Sequence, residues 1–599
     1  MPTERQITAA VLVAVVVAGG WLRVSGANWD SGQHLHPDER YLSQVADNIR
    51  WPDSPGDYLD VKSSPLSPYN TDPGRGYLYG TFPLFATKLV ATALGKDDYA
   101  HLNIVGRRLA ALVDTGSILL VFVLGRLLLD GLGRRAASAG ALLAAALYSF
   151  TVTVIQAAHF FTMESWLVFF TLLTFYLGVR SLRGSLTLGA ARFRPLHALT
   201  GASLGLTAAC KVSGALVAVP LVIGLLGEAA LATRRVRIAD ALLRFGVAIL
   251  TIVVTGYLAF RAVSPYAFAH SNWFDVSINP AFRDALAAQE DAINGKFLYP
   301  PSYQWLLSPR LWDPLKNLVL WQLGAPLGIA ALIGVAFVGV GVVRRRPGAA
   351  ALVALTLRLM LLSYVLTVFF YFGSKFAHTG RYLLPLVPFA VLIAAYGVVS
   401  LLRRHAVALG AAGGALVAAT GLYALAYHHI YTTPNTRVAA SDWIAGHIPR
   451  GTTLAIEHWD DSLPVDGLAQ QYKGEVLPVF DADDGAKLKK LYDGLSASEY
   501  YILSSPRAWR TIGRLPRRFP IMGRFYSRLF AGRLGFVRVA RFTSEPELFG
   551  VQLHDIGAEE AFWVYDHPPV MIYRKRSSLD WDAFRKRLCA PAPAPPGCS

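Results

Sequence analysis

Long apolar stretches joined by short arginine-bearing connectors fill the first 430 residues, near 7–24, 104–129, 136–157, 162–182, 197–211, 212–231, 240–262, 316–343, 350–372, 379–400 and 405–428. A helix needs roughly 20 apolar residues to cross a bilayer, so the pattern predicts about eleven transmembrane helices. The two stretches beside Lys211 are short and read equally well as one broken helix. Residues 80–94 are apolar but interrupted by Pro83 and Lys88, which predicts a re-entrant or interfacial segment. Ser25-Gly26-Ala27-Asn28-Trp29 is a poor signal-peptide cleavage site, so the first stretch is expected to remain as an anchor.

Beyond Thr433 the pattern changes. Strand-like segments at 453–457, 500–503 and 570–573 and a helical pattern over 437–447 predict a small α/β domain. The expected architecture is a polytopic α-helical membrane domain over 1–430, with large outer loops at 25–103 and 263–315, followed by a soluble extracytoplasmic α/β domain over 431–599. The first loop is dense in Asp, Pro, Tyr and Gly turn signals and too aromatic for a connector, so it is expected to fold over the membrane domain. The second holds an amphipathic stretch from Pro280 to Asn294 and an aromatic run from Phe297 to Trp305, which suits either a headgroup belt or a lipid or sugar platform.

At 53% hydrophobic and 16% charged over 599 residues, the chain is not a soluble globular protein. A net charge of +17 would suit nucleic acid, but its placement excludes that partner. Arg134-Arg135, the set Arg180, Arg183, Arg192 and Arg194, then Arg234-Arg235 with Arg237, Arg344-Arg345-Arg346 and Arg403-Arg404 all fall in short loops on the N-terminal side. This positive-inside pattern predicts a cytoplasmic N-terminus, with both large loops and the C-terminal domain on the outer face of the cytoplasmic membrane, and hence an odd number of spans. Three cysteines give neither a disulfide framework nor a zinc motif; a Cys589–Cys598 bridge stays open and would need a reversal at Gly597. No internal repeat, phosphate-binding loop or serine-nucleophile elbow is present.

The candidate chemistry sits at span ends, where a charge beside hydrocarbon is costly and its retention usually marks a role. His36-Pro37-Asp38-Glu39-Arg40-Tyr41 puts an acidic pair at the outer mouth of the membrane domain; the bland alternative is a helix N-terminus with Pro37 at its first position. Glu164 opens a span on the same side. Arg107-Arg108 lie outside, against the charge bias, and so ask for an anionic partner: Asp38, Glu39 or a phosphate. Lys375, His378 and Arg381, followed by Tyr382, cluster at another outer entrance, which again suggests phosphate. Lys211 and Arg358 read as helix-pairing residues. His34, His36 and His159 could join Asp38 and Glu164 around a divalent metal, although their spacing matches no metal motif.

Taken in order, the Pro37–Tyr41 motif, Gly80-Thr81-Phe82-Pro83-Leu84, Gly106-Arg107-Arg108, Glu164, Ala209-Cys210-Lys211-Val212-Ser213-Gly214 and Gly380-Arg381-Tyr382-Leu383-Leu384-Pro385 resemble the GT-C class of membrane glycosyltransferases over about residues 1–430. The likeness is closest to the superfamily of protein O-mannosyltransferases and aminoarabinose lipid A transferases. The resemblance implies transfer of a sugar from a polyprenyl-phosphate donor to an envelope protein, lipid or glycan, beside membrane lipids. It implies Asp38 as general base, with Glu39 and Arg40 supporting it, Tyr41 in the same motif, Glu164 as a second acid, and Arg107, Lys375 and Arg381 as phosphate-holding cations. No cofactor is required, and a divalent metal stays open. Where relatives often carry a lysine in a Lys-Pro-Pro-like motif, this chain has Thr81-Phe82-Pro83, so Lys88 or Lys375 would stand in. A lipid-linked sugar flippase would also be polytopic with intramembrane charges, but transporters commonly show paired repeats and this chain has none. A receptor using residues 431–599 to bind envelope polymers would give Asp38 no role.

Overall fold

The computed structural model describes residues 3–186, 195–344, 347–465, 467–589 and 598. Arg192, Arg194, Arg345, Arg346 and Gly597, which entered the charge and disulfide arguments, lie outside them. The chain divides into two compact units: Met1–Ala27, Pro37–Asn294 and Arg310–Leu425 form the first, and Asn28–His36, Gly295–Pro309 and Ala426–Ser599 the second. Two short segments that the sequence pattern assigns to outer loops thus join the C-terminal unit.

The first unit is helical. Among the described residues, nine helices are long and apolar enough to cross a membrane, and a tenth span results if Arg134–Ser149 and Val152–Ala158, bent by 55°, count as one. The expected count of about eleven falls because Pro195–Cys210 is only 16 residues long. Lys211 explains the shortening: its backbone is extended, at φ −162°, and separates that helix from the 3-10 turn Val212–Val217, which leads directly into Ala218–Ala232. A helix end leaves carbonyls without partners, and here the Gly80 N–H donates to the Cys210 carbonyl at 3.1 Å. A Cβ on Gly80 would lie 1.9 Å from the Ala209 carbonyl oxygen, so only glycine permits this approach.

The first outer loop packs Leu42, Val45, Leu66, Tyr77, Leu84 and Leu102 into one apolar cluster with Phe161, Met163 and Tyr266 from later in the chain. Thr81–Ala93 is a helix of 13 residues, too short to span. Its Lys88 is buried and pairs with Asp97 at 3.2 Å.

The second unit carries a five-stranded sheet: β1 (Thr453–Glu457), β2 (Lys473–Leu477), β3 (Tyr500–Leu503), β4 (Phe536–Phe542) and β7 (Val570–Lys575), in the order β2-β1-β3-β7-β4. β1 pairs in parallel with β2 and β3, whereas β7 runs antiparallel to β3 and β4. β5 (Glu547–Leu548) and β6 (Val551–Gln552) make a separate hairpin. The helix Thr436–His447 packs Ala440 and Ile444 with Leu454, Ile502 and Ile572, whereas Tyr501, Leu503 and Tyr573 of alternate positions face a second core. Cys589 and Cys598 form a disulfide.

Candidate active site

Pro37 opens the helix Pro37–Asn48 and puts Asp38 and Glu39 in its first turn, where the helix dipole favours acids. Consecutive helical residues point about 100° apart, so Asp38 and Glu39 cannot share a face. Glu39 turns inward with Leu42, Ser43, Val45 and Ala46, while Asp38 stays on the rim.

The fully buried Glu39 carboxylate accepts from Arg107 Nε at 2.8 Å and Nη2 at 2.6 Å, and from the Phe161 backbone N–H at 2.5 Å. Arg107 Nη1 donates to the Ala27 carbonyl at 3.0 Å. Phe161 comes close because residue 106 is glycine; a Cβ there would lie 2.2 Å from the Phe161 ring. Glu39 and Arg107 therefore bolt together the Asp38 helix, the helix Tyr99–Leu129 and the turn at Phe161. Neither the Arg107 nor the Glu39 side chain has any exposed surface.

Asp38 instead receives Arg381 Nη1, from the 3-10 turn Gly380–Leu386, and both side chains keep solvent exposure. Arg381 lies 5.7 Å from the Tyr382 ring centroid, and Lys211 Nζ lies 5.0 Å from the same ring. Lys211 in turn pairs with Glu164 at 3.2 Å. Tyr382 is fixed by Gln289, whose Nε2 donates to its hydroxyl at 3.0 Å. Tyr79, from the loop that ends at Gly80, hydrogen-bonds Asp38; burial, then the Asp38 charge, pushes its phenol well above its usual pKa. Tyr41 lies 6.1 Å away, ring to ring, and burial holds its phenol up at about 12. The result is two ion pairs joined by one aromatic ring, with a protonated phenol on the Asp38 side. Arg40 is half-buried on the same turn.

The other candidates have different partners. Lys375 donates to Asn294 Oδ1 at 3.0 Å and stands over the Tyr371 ring, while His378 Nδ1 faces the Lys375 carbonyl at 3.1 Å and its Nε2 lies 3.6 Å from Asp313. Both tie the turn before Arg381 to the second outer loop. His159 lies with both ring nitrogens 2.8 Å from carbonyl oxygens, of Ile155 and Ser25, and His36 packs on Tyr565 within the second unit. Among the described residues no three His, Cys, Asp or Glu side chains are placed to hold a metal. Two residues beside this cluster are not singled out by the sequence: Lys211, whose signal is its position between two short apolar stretches, and Tyr79, which has none.

Residues 74–266, less than half of the chain, match the family model described as dolichyl-phosphate-mannose-protein mannosyltransferase. The chain thus reads as a multi-pass membrane protein that over these residues resembles the GT-C class of glycosyltransferases. No curated protein matches the sequence. Among solved structures, the apo oligosaccharyltransferase of Archaeoglobus fulgidus is similar over 92% of this chain and 76% of its own, at 13% identity and a TM-score of 0.49. ArnT from Cupriavidus metallidurans bound to undecaprenyl phosphate is similar over 94% and 97%, at 14% identity and a TM-score of 0.44.

Proposed function

We propose that the chain transfers a sugar from a polyprenyl-phosphate donor to an envelope acceptor at the outer face of the cytoplasmic membrane, with Asp38 as the base. The observation that carries the proposal is the pairing of Asp38 with Arg381, residues 343 apart in sequence, beside a second acid and a second cation, Glu164 and Lys211. An anomeric phosphate is already a good leaving group. Its transfer needs a carboxylate to take the acceptor proton and cations to receive the phosphate charge.

In this reading the arriving phosphate competes for Arg381 and Lys211 and frees Asp38. The acceptor O–H gives its proton to Asp38 as its oxygen bonds to the anomeric carbon. The carbon–oxygen bond to phosphate breaks, and the electron pair leaves with polyprenyl phosphate. One displacement inverts the anomeric centre. Tyr79, kept protonated, orients Asp38. Glu164 holds Lys211 over Tyr382, and the family described for residues 74–266 supports a lipid phosphate as the donor class.

The test is to incubate purified protein with polyprenyl-phosphate sugars and candidate acceptors, and to follow free polyprenyl phosphate and glycosylated acceptor by mass spectrometry. Coupled release of both is expected. Release with no sugar on any acceptor, or none at all across donors, contradicts the proposal. Single cysteines at Ser63 and Ser462, in a chain lacking the native cysteines, should react with an impermeant thiol reagent in intact cells; labelling only after lysis contradicts the outward topology.

A further inference from the structure

The stretch from Tyr500 to Ser544 holds ten arginines and no lysine, aspartate or glutamate, the densest single-sign segment of the second unit. Two of these arginines sit on the edge strand β4, where Arg538 pairs with Tyr573 and Arg541 with Met571, with a bulge between Arg538 and Ala540. Tyr573 and Met571 are two apart on β7 and share a face, so the bulge brings both exposed arginines onto that same face.

β4 leads directly into the β5–β6 hairpin. Its two turn residues both have positive φ, +53° at Phe549 and +80° at Gly550. A left-handed phenylalanine is uncommon, and this one is 92% exposed, with Val551 at 63% and Leu553 also exposed. The hairpin's own acids are occupied: Glu545 bonds His554, and Glu547 accepts from Gln552 Nε2 at 2.9 Å. What the strand and turn present outward is two arginines on β4 and, a few residues on, an aromatic and aliphatic tip.

Chain continuity argues for the occupant. The C-terminal stretch of the second unit begins at Ala426, before the last apolar helix has ended at Thr432, and the next helix starts at Thr436. The intervening residues reach at most about 10 Å, so the base of the domain is tethered at the bilayer surface. Aromatic tips with flanking arginines have the chemistry of a lipid interface: apolar groups enter the acyl boundary and guanidinium meets phosphate.

We propose that the Phe549 hairpin inserts into the headgroup layer of the bilayer that holds the spanning helices, with Arg538 and Arg541 on anionic lipid phosphates. The insertion positions the appended domain against the membrane and is independent of the sugar or acceptor.

To test it, full-length Phe549→Cys protein with Cys210→Ser is labelled under non-reducing conditions with an environment-sensitive fluorophore. The labelled protein is placed in nanodiscs containing anionic phospholipid and headgroup-spin-labelled lipid. The expected result is blue-shifted emission quenched by that lipid, and not by aqueous iodide, with the same outcome for Val551→Cys. Arg538→Glu and Arg541→Glu should each weaken insertion about fivefold in anionic nanodiscs, with little change in neutral ones. Water-like emission quenched by iodide at both sites overturns the proposal. So does blue-shifted emission that the lipid does not quench, which would place the tip against protein. Neither readout depends on sugar transfer, so failure here leaves the enzymatic proposal standing.

Discussion

Asp38 and Glu39 are neighbours in one helical turn, each faces an arginine, and their environments differ completely. The Glu39–Arg107 pair is bidentate, fully buried and further bound by backbone groups of Phe161 and Ala27. The Asp38–Arg381 pair is partly open to solvent, with a second ion pair and a tyrosine beside it. A closed pair with its hydrogen bonds filled holds a fold. An open pair, on the function proposed above, is where a donor phosphate would enter.

The largest effect expected from this contrast is on stability. Glu39→Gln or Arg107→Met alone leaves a buried charge without its partner and should cost about 3–5 kcal/mol, read as a lower midpoint of thermal unfolding in detergent. The double variant should recover much of that loss. Equal loss in the single and double variants would show that the pair is not the cause.

A smaller effect separates the cations. Arg381→Gln and Lys211→Gln should each weaken donor binding by about 1.5–3 kcal/mol, the size of a charge-assisted hydrogen bond, with little change in the unfolding midpoint. Lys375→Gln should leave donor affinity within about twofold, or less than about 0.5 kcal/mol. If Lys375 matters and Arg381 does not, the phosphate site has been placed on the wrong side of the turn.

Much of the fold was legible because apolar length is a strong and local signal; the helices fall on the expected stretches. The strands β1, β3 and β7 were legible for the same reason, whereas β2 was hidden because four of its five residues are exposed. In the candidate site, Asp38, Glu164 and Arg381 could be named from their places at span ends. Glu39 could not be separated from Asp38, since its role depends on Arg107 and on Phe161, 122 residues away. Lys211 looked like a helix-pairing residue because its local context is apolar, and only the loop containing Tyr79 and Gly80 brings out the break there. The second unit takes in residues 28–36 and 295–309, a discontinuity that composition along the chain cannot report.

The pH response of the second unit differs in kind from the membrane site. His567 lies between Asp555 and Asp566, and their charges outweigh burial and raise it to about 10. Its contribution is therefore fully present below an unfolded value of about 6.5 and is lost as pH rises through about 10. Burial raises Glu457 to about 8 despite hydrogen bonds from Tyr501 and Tyr526. Its contribution is present below an unfolded value of about 4.3 and fades as pH rises through about 8. The domain's unfolding midpoint should fall between pH 7 and pH 10, and His567→Gln should flatten the upper part of that fall. A midpoint that rises over this range would contradict both assignments.

The most direct test of the central claim is single-turnover transfer by Asp38→Asn with a donor that the native protein uses. The substituted protein should unfold at the native midpoint and bind donor at least as tightly as the native protein, since Arg381 no longer has to leave Asp38, yet transfer about 10²–10⁴-fold more slowly, the contribution of a placed general base. Transfer within a few fold of the native rate would contradict the assignment of Asp38 as the base.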